Sequence, residues 1–445
     1  MQFITGREDE SQAVTASDIR IPVVDGPAGS FAEQGATEET RALLASAAEM
    51  ANPGGFPAII LRSDIELTVT ASKASRERRR LRVHLLDRSA FDQWASYQLP
   101  SDPPVRVSRV EAARLILPDG RSRVLVTDPA QPVRSGVHFP GVVPGSIVEV
   151  DLVTEVAAPT ALPEFYTEIL LQPPLPVRQS ELTLHLPSDE RFHYHLANLT
   201  DTPERSESEH GRTLRWEWQD LPALEPLPND PPVRQHAAWV GVSSIPDWDS
   251  FARWFARTTR GSFDSGPAVA RRAAAIRDAH PTRAGRIRAA YHEVAALRYV
   301  PIEIGIHAFR PRTPETLLEQ QFGDCKDKAN LLIALLGELG IPAQFALINR
   351  GSFTEPDFPG WQFNHAITYI PGESPGESPG EPPLWLDPTD GTTAFGSLAP
   401  GNAGRRAFVI DAAGAGAFQT VLPANPTEVT DAWDFARHPD GGWIA

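Results

Sequence analysis

Two periods of apolar residues divide the chain. Between about residues 55 and 245 the period is two: Ile65, Leu67 and Val69 alternate with Glu66 and Thr68, Leu81, Val83 and Leu85 alternate with Arg82 and His84, and 147–156 and 181–186 repeat the pattern. Proline-rich breaks separate these runs, which predicts an antiparallel β-sandwich. From 246 to 422 helical spacing takes over. Helices are expected over 248–260, 268–279 and 282–297, the last carrying Ile287, Tyr291, Val294 and Leu297 as one apolar stripe, and a short helix over 314–321 leads into another from 325 to 339. Strands at 343–349, 363–370, 384–388 and 406–411 complete an α+β arrangement, a helix bundle packed on an antiparallel sheet. Residues 1–54 read as a polar lead-in with one helix over 37–50. Residues 423–445 read as the start of an unfinished β domain, whose strands from Val429 should order poorly or pack as a stray extension.

The helix beginning at residue 325 carries the only cysteine of the chain. Asp324 is a good N-cap with Asp327 at the third helical position, and Ala329, Leu332, Ile333 and Leu336 fall on one face. Gly340 suits a left-handed cap, and Pro342 forbids continuation. Cys325 is then the first residue inside the helix, where unpaired N–H groups and the positive end of the dipole favour a thiolate. Tyr299 and the 305–309 segment should form a lip.

A cysteine nucleophile needs an imidazole and usually a group to hold that ring, both of which can lie far off in sequence. His365 stands near the start of one predicted strand and Asp387 at the end of the next. If Ile370 faces Leu384 across a hairpin, His365 and Asp387 become diagonal neighbours on one sheet face, roughly 7–8 Å apart at their side-chain origins. The stretch 372–383 between them repeats Pro-Gly-Glu-Ser and reads as a dispensable connector pointing away from Cys325. It contains two G-x-S-x-G matches, around Ser374 and Ser378, but no strand-to-helix elbow can form there.

Gly-Asp-Cys-Lys-Asp at 323–327, Asn-His-Ala at 364–366 and Leu-Asp-Pro-Thr at 386–389 resemble, in that order, the three motifs of bacterial transglutaminase-like proteins, a branch of the papain-like superfamily. The resemblance runs from about Pro281 to Ile410. It implies that Cys325 is the nucleophile, His365 the base and Asp387 the orienting acid of thiol-dependent acyl transfer or hydrolysis on a peptide or protein amide. Oxyanion donors would be the Cys325 backbone N–H and one further group, for which Gln320, Gln321 and Asn364 are candidates. Upstream, Pro118-Asp119-Gly120, the 144–149 run and the 182–187 run resemble a β-rich domain of unknown function that often precedes such cores in envelope proteins.

Composition narrows the picture. A formal charge of −16 over 445 residues argues against a nucleic-acid partner. No stretch is long enough to cross a bilayer, the first residues lack a basic region followed by an apolar run, and resembling proteins are often periplasmic or envelope-associated. Of the three lysines, Lys326 and Lys328 flank the cysteine. No cofactor is expected: there is no phosphate-binding loop, dinucleotide fingerprint, H-E-x-x-H or EF-hand spacing. The basic run 76–82 reads as a solvated strand face, and His193 and His195, lacking a third ligand, as packing residues rather than a metal site. Taken singly, each member of the Cys-His-Asp set has an ordinary structural reading, and the alternative to an enzyme is a binding or assembly protein with a vestigial core.

Overall fold

The computed structural model describes residues 30–99, 105–127, 132–134, 136–158, 164–188, 191–209, 211–225, 230–301, 309–372, 382–389, 391, 393–399, 401–422, 436–437 and 443–444. It divides into two compact units, one formed by Met1–Trp248 with Asp357–Trp361, the other by Asp249–Pro356 with Gln362–Ala445.

The first unit is built on a nine-stranded sheet and a three-stranded one. The predicted alternating runs become Ala58–Val69, Ser75–Leu85, Ser146–Val156 and Val177–Leu186. Their inward residues, among them Ile65, Leu67, Val83, Val148 and Leu184, share one core with Ile169, Val240 and Val242 of the smaller sheet. One pairing departs from expectation: Val177–Leu186 runs parallel to Ala58–Val69, with Leu182 opposite Ile65. More than a hundred residues separate these strands in sequence, so no hairpin dictates their sense, and the crossover permits a parallel match. Of the lead-in, residues 1–29 lie outside the described residues, and the part from 30 on is more structured than its composition suggests. Phe31–Gln34 pairs antiparallel with Ser122–Leu125 as an edge strand, and Thr37 caps the helix Glu38–Ala48.

Alternate arginines of the 76–82 run reach carboxylates of the neighbouring strand: Arg78 donates to Asp151 at 2.9 and 3.1 Å, and Arg82 to Glu149. His195 stacks on Phe358 with ring centroids 5.4 Å apart and lies 5.3 Å from Trp239. His193 meets the edge of the same phenylalanine. Both histidines pack as expected.

In the second unit the helices Trp248–Thr259, Gly266–Ala279, Arg283–Ala295, Pro314–Gln320 and Cys325–Glu338 accompany a five-stranded antiparallel sheet. The sheet order is Leu384–Leu386, His365–Ile370, Gln344–Ile348, Arg406–Ile410, Gly416–Thr420. Ile287, Tyr291, Val294 and Leu297 pack with Leu331, Leu332, Leu335 and Leu336 of the cysteine helix. The core face of that helix is broader than the periodicity indicated. Leu331 and Leu335 are fully buried and Ile333 only half so, because the helix is enclosed on several sides, with Asp327, Lys328 and Asn330 buried too. Its end follows the expected cap: Gly340, at φ +75°, donates to Gly337, and Ile341 to Leu336.

Several expectations fall largely outside the described residues. These are the 305–309 lip, of which Phe309 alone is described, the 372–383 connector apart from its ends, and the 429–445 extension. In the last, only the pairing of Ala436–Arg437 with Trp443–Ile444 is described.

Candidate active site

Cys325 opens its helix, and the chain is shaped locally to put it there. Asp324 accepts the backbone N–H of Asp327 at 3.2 Å while Asp327 accepts that of Asp324 at 3.3 Å, a reciprocal capping box in which an aspartate replaces the usual N3 glutamate. Arg312 clamps Asp327 from outside with its backbone N–H at 2.8 Å and two guanidinium contacts at 2.8 and 3.0 Å. Gly323 has to be glycine, since a Cβ there would lie 2.5 Å from Leu317 and 2.9 Å from Asp327. Burial raises the Asp324 carboxyl above its ordinary value, against the pull of the Lys326 ammonium beside it and with the repulsion of Asp327 adding to it. Lys328, fully buried, donates to Leu297 O at 2.8 Å and Ala295 O at 3.3 Å, just beyond the preceding long helix, where a cation meets the negative end of the dipole.

His365 begins the strand that pairs with Leu384–Leu386 in the anticipated register, Ile370 opposite Leu384 and Thr368 opposite Leu386. Asp387 follows one residue past the end of the partner strand, so both side chains emerge on one face. Their separation is 2.8 Å, from His365 Nε2 to Asp387 Oδ2, and both are almost fully buried. Cys325 adds to the pull that keeps the proton on the ring, and with Nε2 engaged by Asp387 the Nδ1 is the nitrogen left for the thiol. Burial alone would pull the imidazole down. The Asp387 carboxylate, as charge and as acceptor, together with Cys325, outweighs burial and raises it to about 10. Burial likewise pushes Asp387 up, yet the charge and hydrogen bond of His365 and the donors of Thr389 hold it well below the usual carboxylate range. Imidazole and carboxylate are thus paired, with the thiol adding to the pull on the ring's proton, an arrangement able to take a proton from sulfur and keep it on nitrogen.

The other residues singled out from sequence have different employment. Gln320 accepts from Arg312, Gln321 donates to Leu318 O at 2.6 Å, and both are exposed. Asn364 is closed in a two-way bridge with the backbone of Arg350, accepting its N–H at 2.7 Å and donating to its carbonyl at 3.1 Å. Sequence reasoning passed over four groups. Thr389 donates to Asp387 Oδ1 through its N–H at 3.0 Å and its hydroxyl at 2.6 Å, a local turn that Asp-x-Thr chemistry signals. The Tyr291 hydroxyl, on a helix otherwise read as apolar, lies 3.2 Å from the Asp387 carbonyl. Arg312 and Asn402 carry no sequence signal, because only folding brings them near. Among the described residues, no three His, Cys, Asp or Glu side chains come together as a metal site requires, and no helix is long and apolar enough to cross a membrane.

Residues 133–225 match the family described as a "Domain of Unknown Function with solved-structure structure (DUF3857)", which covers two of the three upstream runs noted in the sequence. No curated protein matches. A crystal structure of a "putative protease" from Parabacteroides distasonis superposes with a TM-score of 0.63 at 15% identity, over 83% of this chain and 72% of that one, so the two share a fold. A "putative cysteine protease" from Cytophaga hutchinsonii aligns over 51% of this chain and 75% of its own at 15% identity, with a TM-score of 0.23. An M1 zinc metallopeptidase from Deinococcus radiodurans aligns over 42% of each chain at 13% identity and 0.22. Scores that low carry no common architecture.

Proposed function

We propose that the second unit is a cysteine-dependent acyl-transfer site acting on an amide, of the transglutaminase-like and papain-like kind, with Cys325 as nucleophile, His365 as acid and base and Asp387 as the group that orients the ring. The observation that carries this reading is the 2.8 Å contact of His365 Nε2 with Asp387, on a buried ring whose protonated form the cysteine at a helix start also favours. The sulfur attacks the carbonyl carbon, the C=O electron pair moves to oxygen, and His365 returns its proton to the departing amine as the C–N bond breaks. The resulting thioester passes its acyl group to water or to an amine, whose proton His365 takes. The backbone N–H of Cys325, at the first helical position and with no preceding turn to bond, serves as an oxyanion donor. The shared fold with a protein described as a protease supports hydrolysis of peptides as the coarse activity.

Selective thiol reactivity tests the reading. At pH 6 an ordinary thiol is under about 1% ionised, so iodoacetamide should alkylate Cys325 much faster than it alkylates a free cysteine, and His365→Ala should slow the reaction on the order of 10²-fold. Kinetics equal to those of a free thiol, indifferent to His365, would favour a binding or assembly protein that keeps the three residues as scaffold.

A further inference from the structure

Asp387 is held by more than its histidine. Oδ1 accepts the N–H and hydroxyl of Thr389, and Oδ2 accepts both His365 Nε2 at 2.8 Å and Asn402 Nδ2 at 2.6 Å. Two donors on each oxygen fill the acceptor capacity of the carboxylate. The Thr389 contacts are local and would form in any such turn. The Asn402 contact joins residues fifteen apart and lands on the oxygen that His365 uses.

Asn402 is itself fully buried, and its Oδ1 has no hydrogen-bond partner among the described residues. An orphaned buried amide oxygen is destabilising, a cost that a leucine of similar size would avoid, so packing does not account for an asparagine here. Its loop is also tied down. Asn402 N–H donates to Ala399 O at 2.9 Å, and the neighbouring Gly401 O accepts Gly351 N–H at 3.0 Å. Gly351 follows Arg350, whose backbone both donates to and accepts from the side chain of Asn364, the residue before His365. A ring of contacts therefore runs from His365 through Asp387, Asn402, the 401–351 backbone bond, Arg350 and Asn364, and returns along the chain to His365.

We infer that Asn402 is a positioning residue, which fixes the plane of the Asp387 carboxylate so that Oδ2 stays on His365 Nε2 and Nδ1 stays turned to Cys325, with Asn364 bracing the turn that carries it. The inference deepens the acyl-transfer reading above and rests on it for its chemical consequence. A neutral amide donor suits the task, since it favours the ionised carboxylate without competing with the imidazolium for its charge. Without it, the carboxylate can rotate about its terminal torsion, and His365 loses its counter-charge.

The test uses the full chain with Asn402→Leu, which keeps volume and removes the donor, and Asn402→Ala. The His365 ring is titrated by nitrogen NMR, and alkylation of Cys325 is followed against pH. In a folded variant the His365 midpoint should drop by a unit or more, and the pH of half-maximal alkylation should rise. A purely structural role would lower the melting temperature and leave both midpoints in place, and that result overturns the inference. If neither variant folds, the wild-type protein decides. One Asn402 side-chain amide proton should be shifted downfield, exchange slowly and respond to His365→Ala, whereas a solvent-like amide signal refutes the assignment. The two readings fail separately, because free-thiol kinetics at Cys325 would remove the acyl-transfer proposal while the His365 titration would still judge Asn402.

Discussion

At the residue scale, the buried pair of His365 and Asp387 ties stability to pH in a definite direction. The folded imidazole holds its proton to about 10 against an ordinary 6.5, so its contribution is complete below about pH 6.5 and is lost progressively as pH rises through 10. Asp387 works on the acid side: its depressed carboxyl contributes above its ordinary value of 3.8 and loses that contribution as pH falls below it. The difference in melting temperature between wild type and His365→Ala should therefore be widest near pH 6 and shrink steadily toward pH 10. A difference constant over that interval would mean the ring is held neutral by its burial. Cys325, His365 and Asp387 were legible because each sits in a short motif whose neighbours have their own jobs: Gly323 allows close packing, Asp324 caps, and Thr389 closes a turn. Asn402 was illegible for the opposite reason. Its neighbours Gly401 and Ala403 form no motif, and its meaning lies wholly in a contact made after folding.

At the scale of elements, the cysteine helix depends on its cap and on its enclosure in unequal measure. Asp324→Ala removes the acceptor for the Asp327 N–H and should be destabilising by about 0.5–2 kcal/mol. Leu335→Ala opens a cavity at a fully buried position and should lose about 2–5 kcal/mol, while Ile333→Ala, half-buried, should lose visibly less. Chemical denaturation of the three variants checks the order, and Ile333 proving the costliest would show that the helix is rotated from the orientation described. The periodicity chose Ile333 over Leu331 and Leu335 because it assumes a helix with one dry face. Here the sheet, the Arg283–Ala295 helix and the Gly266–Ala279 helix all meet the same helix, so burial no longer follows a single stripe. The hairpin was easier to read. Period-two alternation admits one register once Ile370 and Leu384 are opposed, and a shift of one residue would turn His365 away from Asp387.

At the scale of the whole chain, sequence order and compactness part company at one place. Helical periodicity put the boundary near residue 245, whereas the first compact unit is made of Met1–Trp248 together with Asp357–Trp361 from the loop before the His365 strand. No pattern announces this return, because five residues show no period. Phe358 of that segment is buried against Tyr166, His193, His195 and Trp239, and Gly241 leaves the space its ring occupies, since a Cβ there would lie 2.3 Å from the ring. Gly360 similarly makes room for Tyr166, and Ser243 donates to Pro359 O at 2.8 Å. The segment is thus a part of the first unit's packing supplied from far along the chain. Phe358→Ala should destabilise that unit by about 3–5 kcal/mol, and Gly241→Ala should also weaken it, by about 1–3 kcal/mol, through overpacking. A fragment begun at residue 249 would strand Phe358 without its aromatic partners, so it should bind a hydrophobic dye and aggregate, and replacing 357–361 by a short glycine–serine link should cure both faults. The comparison is one of dye binding and sedimentation between the two fragments. Equal, clean behaviour would mean that the aromatic segment does not need the first unit, and that the 249 boundary is a true domain boundary after all.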